Sequence, residues 1–580
     1  MTNQDVAAAL DEIGVLLQLQ GENDFRTRAY ANAARTMEQL GQDVNRLVAE
    51  KKLGTIRGFG DAMVSKITIL VTTGKLPYLE ELRASIAPGL LELLKINGVG
   101  PKKVKALHDA LGVDSIDKLK AAIASGAVAG LKGFGAKSAA KILDGISFLG
   151  IAGKRVRLAS AEPLGLALLA ELKKLSGVIR AELCGSLRRK RETVKDIDIV
   201  VSSTDAGPIM AAFVTLPQVL QVIGHGETKS SIVASYARPD REPIVLNADL
   251  RVVTDEQFPV AVLHFTGSKD HNIRLRQRAI DRGLSLNEYA LTNDGVPIPM
   301  KTEAEIYDEL DLAFIPPECR EDRGEIELAE AGPFPTLVTV DQIRGIFHNH
   351  TTESDGTATL EAMVLAAKDR GFEYFGVADH SQSLVVANGL SPERVRLQWA
   401  EVDRLNAKLE GIRILKGTEC DILADGRLDY DDDLLAGFDY VVAAVHTLFG
   451  LPEEQQTARI CKALTHPLVT MLAHPTGRLL LRREGYKVNL EAVLETAAQH
   501  NKIIEINAQP DRLDLDWAFV RRAKQLGVMI VINTDAHDLK AVGYAKYGID
   551  VARRGMLTAE EVFNTRGLAE VLKRLAESKA

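Results

Sequence analysis

The chain reads as a multidomain α+β protein: helical hairpin modules come first, a sheet domain follows, and a long strand-helix alternation closes the sequence. Three observations predict this order. Gly-x-Gly turns recur between helical segments before residue 140, two aspartates sit one residue apart on an apolar strand at 196–201, and short apolar runs alternate with helical segments after residue 340. At 580 residues the chain is too long for one core, and about three to five domains are expected.

Composition narrows the class. With 46% hydrophobic and 26% charged residues the chain is globular, and it has no apolar run long enough to cross a membrane. The N-terminus lacks a basic-then-apolar signal segment, so a cytoplasmic protein is expected. Cys184, Cys319, Cys420 and Cys461 are far apart and form no C-x-x-C pair, which predicts neither a disulfide framework nor a zinc ribbon. The net charge of −8 hides an asymmetry: residues 51–200 hold 26 Lys/Arg against 14 Asp/Glu, leaving the rest of the chain at −20. A phosphate backbone responds to that local excess rather than to the overall charge.

Residues 1–50 carry apolar side chains at helical spacing, as in Ile13-Gly14-Val15-Leu16-Leu17, and predict packing helices. The repeat follows in Gly58-Phe59-Gly60, Gly98-Val99-Gly100 and Gly133-Phe134-Gly135. Each leads into a lysine-bearing segment, with Lys102, Lys103, Lys137 and Lys141 among the lysines. The glycines permit a tight turn between helices, and the next helix N-terminus presents backbone N–H groups to an anion. One such turn needs no ligand. Three in series resemble helix-hairpin-helix motifs, which implies contacts to DNA phosphates without sequence reading.

The sheet domain centres on residues 184–201. Asp196 and Asp198 point to one face of their strand, and Ile197, Ile199 and Val201 to the other. Two carboxylates on one face repel unless a cation sits between them, and Asp249, in a second short β-type run, supplies a third. Three oxygen ligands with room for phosphate describe a Mg²⁺ site. Gly185 and Ser186 offer a backbone N–H and a hydroxyl to phosphates, and Arg189 a planar fork.

This pattern resembles the nucleotidyltransferase palm, a mixed-sheet domain, and more closely the family X DNA polymerases of the polymerase beta type. The resemblance implies that Asp196, Asp198 and Asp249 hold Mg²⁺ and that Arg155, Gly185, Ser186 and Arg189 bind the triphosphate of a dNTP. It continues into a thumb entry, His264-Phe265-Thr266-Gly267-Ser268, where Phe265, Thr266 and Gly267 crowd the sugar of the nucleotide. Asn272 then matches a minor-groove contact to the incoming base and Arg276 a contact to the template; His264 stands where the family often has Tyr. The first hairpin resembles the family's small lyase domain, with Lys66 on the Schiff-base lysine and Ala62 at a position that is basic in the family. Schiff-base chemistry and plain phosphate contact both stand for Lys66.

A charged stretch to about Glu330, then Ala331-Gly332-Pro333-Phe334-Pro335, reads as a linker. Beyond it the alternation predicts a parallel sheet, open or closed into a barrel. Nearly every run ends in a potential ligand: His348 and His350, then Asp379 with His380, Glu419, His446, His474, and Asp535 with His537. In a βα barrel the carboxyl ends of the strands converge on one mouth, where these side chains would meet. A lone histidine after a strand is usually structural; this many, with carboxylates, predict metal of the Zn²⁺, Mn²⁺ or Fe²⁺ kind. They outnumber what one ion can use, so two or three ions follow. The stretch resembles the PHP (polymerase and histidinol phosphatase) domain, with motifs His348-Asn349-His350-Thr351, Ser354-Asp355-Gly356, Asp379-His380, His474-Pro475 and Asp535-Ala536-His537. The resemblance adds Asp355 to the ligands and implies a distorted seven-stranded, TIM-like βα barrel that hydrolyses phosphoesters with Mn²⁺ or Zn²⁺.

Together these readings describe a bacterial-type family X polymerase joined to a 3′→5′ exonuclease, with 3′-phosphatase or abasic-site endonuclease activity also implied. Its partners would be dNTP and gapped or 3′-ended duplex DNA, and the chain is expected to act as a monomer in repair. The expected domains are a lyase-like module (1–85), a fingers-like module (86–150), the palm (151–260), the thumb (261–325), a linker (326–340) and the PHP domain (341–580). A nucleotidyltransferase acting on RNA or a small molecule is the rival enzyme, and a DNA-end scaffold with decayed sites the rival outside enzymology. The hairpins with Asn272 and Arg276 favour DNA, and no expected ligand is missing.

Overall fold

The computed structural model describes residues 3–38, 44–56, 58–94, 96, 99–149, 154–238 and 241–579. Gly98 and the side chains of Lys137 and Lys141 lie outside the described residues. The chain divides into two compact units of three stretches each: residues 1–154, 164–184 and 195–311 form the first, and 155–163, 185–194 and 312–580 the second.

The first unit opens on helices. Asn3–Gln20 buries Val6, Leu10, Ile13 and Leu17 in one stripe, the spacing that lets a helix pack along its length. Asp24–Glu38 and the hairpin helices Asp61–Thr73 and Pro101–Leu111 pack on it, adding Tyr30, Ile67, Val104 and Leu107 to the core. Gly58 and Gly133 hold φ of +100° and +88°, a turn that side chains resist.

A five-stranded sheet follows, in the order Arg180–Leu183, Asp196–Ser202, Arg241–Val253, Lys229–Arg238, Val219–His225. Only the pair Asp196–Ser202 and Arg241–Val253 runs parallel, so the sheet is mixed. The short run expected around Asp249 is the end of a 13-residue strand, whose Ile244, Leu246, Ala248 and Leu250 are buried on one face. Helices Phe258–Thr266 and Lys269–Asp281 and a three-stranded antiparallel sheet over Leu284–Leu286, Leu291–Asn293 and Val296–Pro297 complete the unit's later part.

The second unit is built on a seven-stranded parallel sheet whose strands follow chain order: Gly345–Ile346, Tyr374–Val377, Arg413–Asp421, Tyr440–Ala444, Met471–Leu472, Ile503–Asn507 and Ile530–Asn533. Just past the first and last strands, Asn349 and Ala536 form a parallel bridge, and the His350 N–H donates to the Ala536 carbonyl at 2.8 Å, so the sheet nearly closes as a barrel. Phe347, Tyr374, Leu415, Tyr440 and Met471 form one buried cluster, and a larger one packs the helices on the sheet. Gly376 and Gly417 are required here: a Cβ on either would come within 2.1 Å of the Tyr440 side chain. The stretch read as a linker is partly helical, over Glu325–Ala331, because the buried Glu325 carboxylate accepts from the N–H groups of Asp322 and Arg323 at 2.8 and 2.7 Å. All four cysteines are free, as their spacing predicts. No helix among the described residues is long and apolar enough to cross a membrane.

Candidate active sites

Strand pairing assembles the first carboxylate group. The register sets Asp198 opposite Asp249 and Asp196 opposite Asn247, and paired positions share a face. Asp196 is exposed, while Asp198 and Asp249 are half-buried. Lys229 supplies a local counter-charge, its Nζ 2.9 Å from Asp249 Oδ2. The neighbouring Asn247 Oδ1 is buried without a hydrogen-bond partner. An all-oxygen donor set with an orphaned acceptor beside it fits Mg²⁺.

The predicted nucleotide-selecting residues are held among themselves. Phe265 and Thr266 end a helix whose cap, Gly267, holds a positive φ of 71°. Asn272 Nδ2 donates to the His264 carbonyl at 2.8 Å, Arg276 lies 3.1 Å from His264 Nδ1, and the Arg251 guanidinium sits 4.4 Å over the Phe265 ring. Burial, then Arg276 and Arg251, push His264 down to about 3, so its neutral ring accepts from Arg276.

The predicted triphosphate residues lie in the second unit. Arg155 Nε donates to Thr193 Oγ1 at 2.7 Å, next to a short ladder of Val156–Arg157 with Thr193–Val194. Gly185–Arg188 is a single helical turn that places Ser186, half-buried, ahead of Arg189. Arg189 is only 9% exposed and its Nε lies 3.1 Å from Glu321 Oε1, a partner that spacing alone does not reveal.

In the N-terminal module Lys66 is half-buried with Nζ 5.0 Å from the centre of the Tyr78 ring, whose hydroxyl accepts from Arg26 at 2.9 Å. The hairpin glycines divide in two. Gly60 and Gly100 cap the next helices with ordinary negative φ, and a Cβ at 60, 100 or 135 would meet nothing within 4 Å. Neither a positive φ nor packing demands glycine at these three positions, and at 60 and 100 it serves as a helix N-cap, a role glycine fills well. Lys102 lies 3.1 Å from Asp24, and Lys103 Nζ lies 5.8 Å from the Phe134 ring centre.

The barrel brings all its predicted ligands together. Among the described residues, four overlapping groups are spaced to hold ions: His350, Asp355, His380 and His537; His348, Glu419 and His474; His348, His350 and Asp535; His380, Glu419 and His446. Glu419 is the hub, with Oε2 3.2 Å from His348 Nε2 and 2.9 Å from His380 Nδ1, and Oε1 2.8 Å from His474 Nε2 and 3.2 Å from His446 Nε2. His348 Nε2, His350 Nδ1, His380 Nδ1, His474 Nδ1 and Glu419 Oε2 are all buried without a hydrogen bond. Each orphan costs about 1–3 kcal/mol, so this set fits the metal cluster that the sequence implies.

The charges there are unbalanced. Burial alone would lower His348, but Glu419, Glu505 and Asp535 hold it well above its ordinary value. Burial together with His537 and His380 pushes His350 down to about 3. Against burial, Glu419 and Asp355 raise His380 to about 10, and Asp355 with Asp535 raises His537 to about 9.

Sequence reasoning missed the groups behind the ligands. Glu505 Oε2 lies 2.8 Å from His348 Nδ1, Asp421 Oδ1 2.5 Å from His446 Nδ1, and Asn507 Nδ2 donates to Asp535 Oδ2 at 2.9 Å. Asp379, expected as a potential ligand, falls in none of the four groups; it accepts from Thr351, Ser354 and Gln398 and so fixes the loop that carries Asp355. A signal was present for Glu505, since a carboxylate between Ile504 and Ile506 on a buried strand needs a partner.

Comparisons with known proteins agree with this geometry. Family models match a helix-hairpin-helix domain over residues 1–76, a SAM-like helix-hairpin-helix tandem over 90–147, the DNA polymerase beta thumb over 261–321 and the PHP domain over 347–509. The chain is 39% identical to the DNA polymerase/3′-5′ exonuclease PolX of Bacillus subtilis across 98% of this chain and 99% of that one. It is 27% identical to a probable phosphatase of Thermoanaerobacter sp. across 40% of this chain and 94% of the relative, and 26% identical to one of Shewanella oneidensis across 34% and 77%. With near-complete coverage of the Bacillus subtilis relative and both a polymerase beta thumb and a PHP domain matched, the chain belongs to the bacterial family X DNA polymerases that carry a C-terminal PHP domain.

Proposed function

We propose that this protein fills short gaps in DNA and trims 3′ ends during repair. It is a DNA polymerase and a metal-dependent 3′→5′ exonuclease, and the observation that carries this is two separate metal-fitting groups on one chain: Asp198 opposite Asp249 on the palm strands, and the Glu419-centred histidine cluster in the barrel.

In the polymerase reaction Asp196, Asp198 and Asp249 would hold Mg²⁺, with Asp249 orienting the primer 3′-OH toward the α-phosphate. The bound ions supply charge neutralisation for the in-line displacement. Arg155, Gly185, Ser186 and Arg189 take the triphosphate; Phe265, Thr266 and Gly267 bound the sugar, and Asn272 and Arg276 reach the base and the template. Gly60, Gly100 and Gly135 let DNA phosphates approach the backbone N–H groups of the hairpin helices. In the barrel, His348, His350, Asp355, His380, Glu419, His446, His474, Asp535 and His537 would hold two or three ions, Mn²⁺ or Zn²⁺, which supply Lewis acidity for phosphodiester hydrolysis. Lys66 is the candidate for Schiff-base chemistry at an abasic site; borohydride trapping on such a substrate decides between that role and phosphate contact.

The test is a labelled gapped duplex incubated with the pure protein, with and without dNTPs, under Mg²⁺ and Mn²⁺. Template-directed extension and, without dNTPs, shortening from the 3′ end are expected. Extension of RNA primers alone, or neither reaction, would overturn the reading.

A further inference from the structure

Resting on the reading of Gly185–Val194 as the triphosphate segment, we propose that Arg554, a residue of the C-terminal domain, is a positioning residue for the polymerase reaction. It aligns Arg189 for the incoming nucleotide.

Arg554 ends the helix Ala545–Arg554 and is fully buried. Its Nη1 donates to the Arg189 carbonyl at 2.6 Å and lies 3.2 Å from Glu321 Oε1, and its guanidinium lies 4.8 Å over the Trp517 ring. The same Glu321 oxygen takes Arg189 Nε at 3.1 Å, while Oε2 lies 3.6 Å from Arg191. Arg554 therefore holds Arg189 twice, by its backbone directly and by its side chain through Glu321. One buried carboxylate faces three guanidiniums, and Nε and Nη2 of Arg554 have no hydrogen-bond partner.

A stabilising role alone accounts poorly for this arrangement. Breaking or under-satisfying a buried charge is costly, and an apolar side chain of similar volume over Trp517 would pack without that cost. A device that fixes a phosphate-binding arginine before the nucleotide arrives does account for it, because pre-ordering removes entropy that binding would otherwise have to supply. The neighbouring residues are tied down in the same way. Lys190, at φ 54°, lies 2.5 Å from Glu162 and faces Asp550 on the Arg554 helix, and Glu192 lies 3.5 Å from Arg478.

The experiment uses full-length protein with Arg554→Met, Glu321→Gln and Arg189→Ala. Single-nucleotide insertion into a gapped duplex is measured against dNTP concentration with Mg²⁺, and degradation of a single-stranded 3′ end with Mn²⁺ in the same preparations. Arg554→Met is expected to raise the KM for dNTP roughly tenfold, the scale of one lost charge-assisted hydrogen bond, with a smaller change in kcat and wild-type exonuclease. An unchanged KM beside an impaired Arg189→Ala would overturn the proposal. Unchanged KM in both would overturn the reading of Arg189, and the proposal with it. If Arg554→Met loses both activities together through misfolding, Glu321→Gln decides, since it keeps the shape and removes the charge: a raised KM with intact exonuclease sustains the proposal and a wild-type KM ends it.

Discussion

Asp249 is the palm carboxylate with a local counter-charge, Lys229 Nζ lying 2.9 Å from its Oδ2. Asp249→Ala is expected to abolish nucleotide addition and leave 3′ degradation near wild type; extension of a gapped primer by that variant would show the palm assignment to be wrong. Lys229→Ala removes a competitor for the same carboxylate, so the apparent Mg²⁺ requirement should fall. The pair is largely exposed and worth under about 1 kcal/mol, hence roughly a twofold shift in a Mg²⁺ titration of insertion rate. In the barrel, Glu505→Gln should weaken metal binding by about 10- to 100-fold, the usual cost of losing a carboxylate behind a ligand histidine. Calorimetric Mn²⁺ titration of the metal-stripped protein measures this directly, and an unchanged affinity would make Glu505 merely a core residue. The ligands themselves were legible in the sequence because metal sites demand His, Asp and Glu at strand ends. Glu505 and Asp421 were not, because a carboxylate's role behind a ligand depends on which strands become neighbours, and that is a property of the closed sheet.

At the scale of elements, the hairpins make the sharpest claim. Gly60→Ser and Gly100→Ser keep a good N-cap, meet no neighbouring atom and require no positive φ, so melting temperature should stay within a degree or two while affinity for a gapped duplex falls about fivefold per lost phosphate contact. Fluorescence anisotropy for binding and calorimetry for stability separate the two; equal losses in both would mean the glycines serve the fold. Element type was readable across the barrel strands, since they are buried on both faces and show as continuous apolar runs. Lengths were less so. Met471–Leu472 is the paired part of a longer apolar run, and Arg241–Val253 extends well upstream of the segment that its apolar alternation marks. The helix Glu325–Ala331 hid inside a charged stretch because Glu325 reads as a solvent residue until its backbone partners are seen.

For the molecule as a whole, a buried acid outside the metal-fitting groups contributes to the response to pH. Asp550 is pushed up to about 7 by burial and by Glu162 and Glu318, with Lys190 and Lys546 pulling the other way. The folded chain therefore binds this proton more tightly than the unfolded chain, whose carboxyl titrates near about 4, so the group's contribution to stability falls as pH rises from about 4 to about 7. Asp550→Asn should gain on the wild type by up to about 4 kcal/mol across that window, read as diverging melting curves. A difference between the two proteins that is the same at acid and neutral pH would sink the assignment. What no sequence pattern announced is the interleaving of the two compact units, because residues 155–163 and 185–194 look like ordinary parts of the palm until their partners are known. The chain passes between the units five times. A gene split after codon 311 would deliver one product without the stretches that complete the other, and a ribosome must release Gly185–Val194 long before Arg554 exists to receive it. A chain cut after residue 311 is thus expected to leave the second unit without two of its three stretches and less stable than in the intact protein.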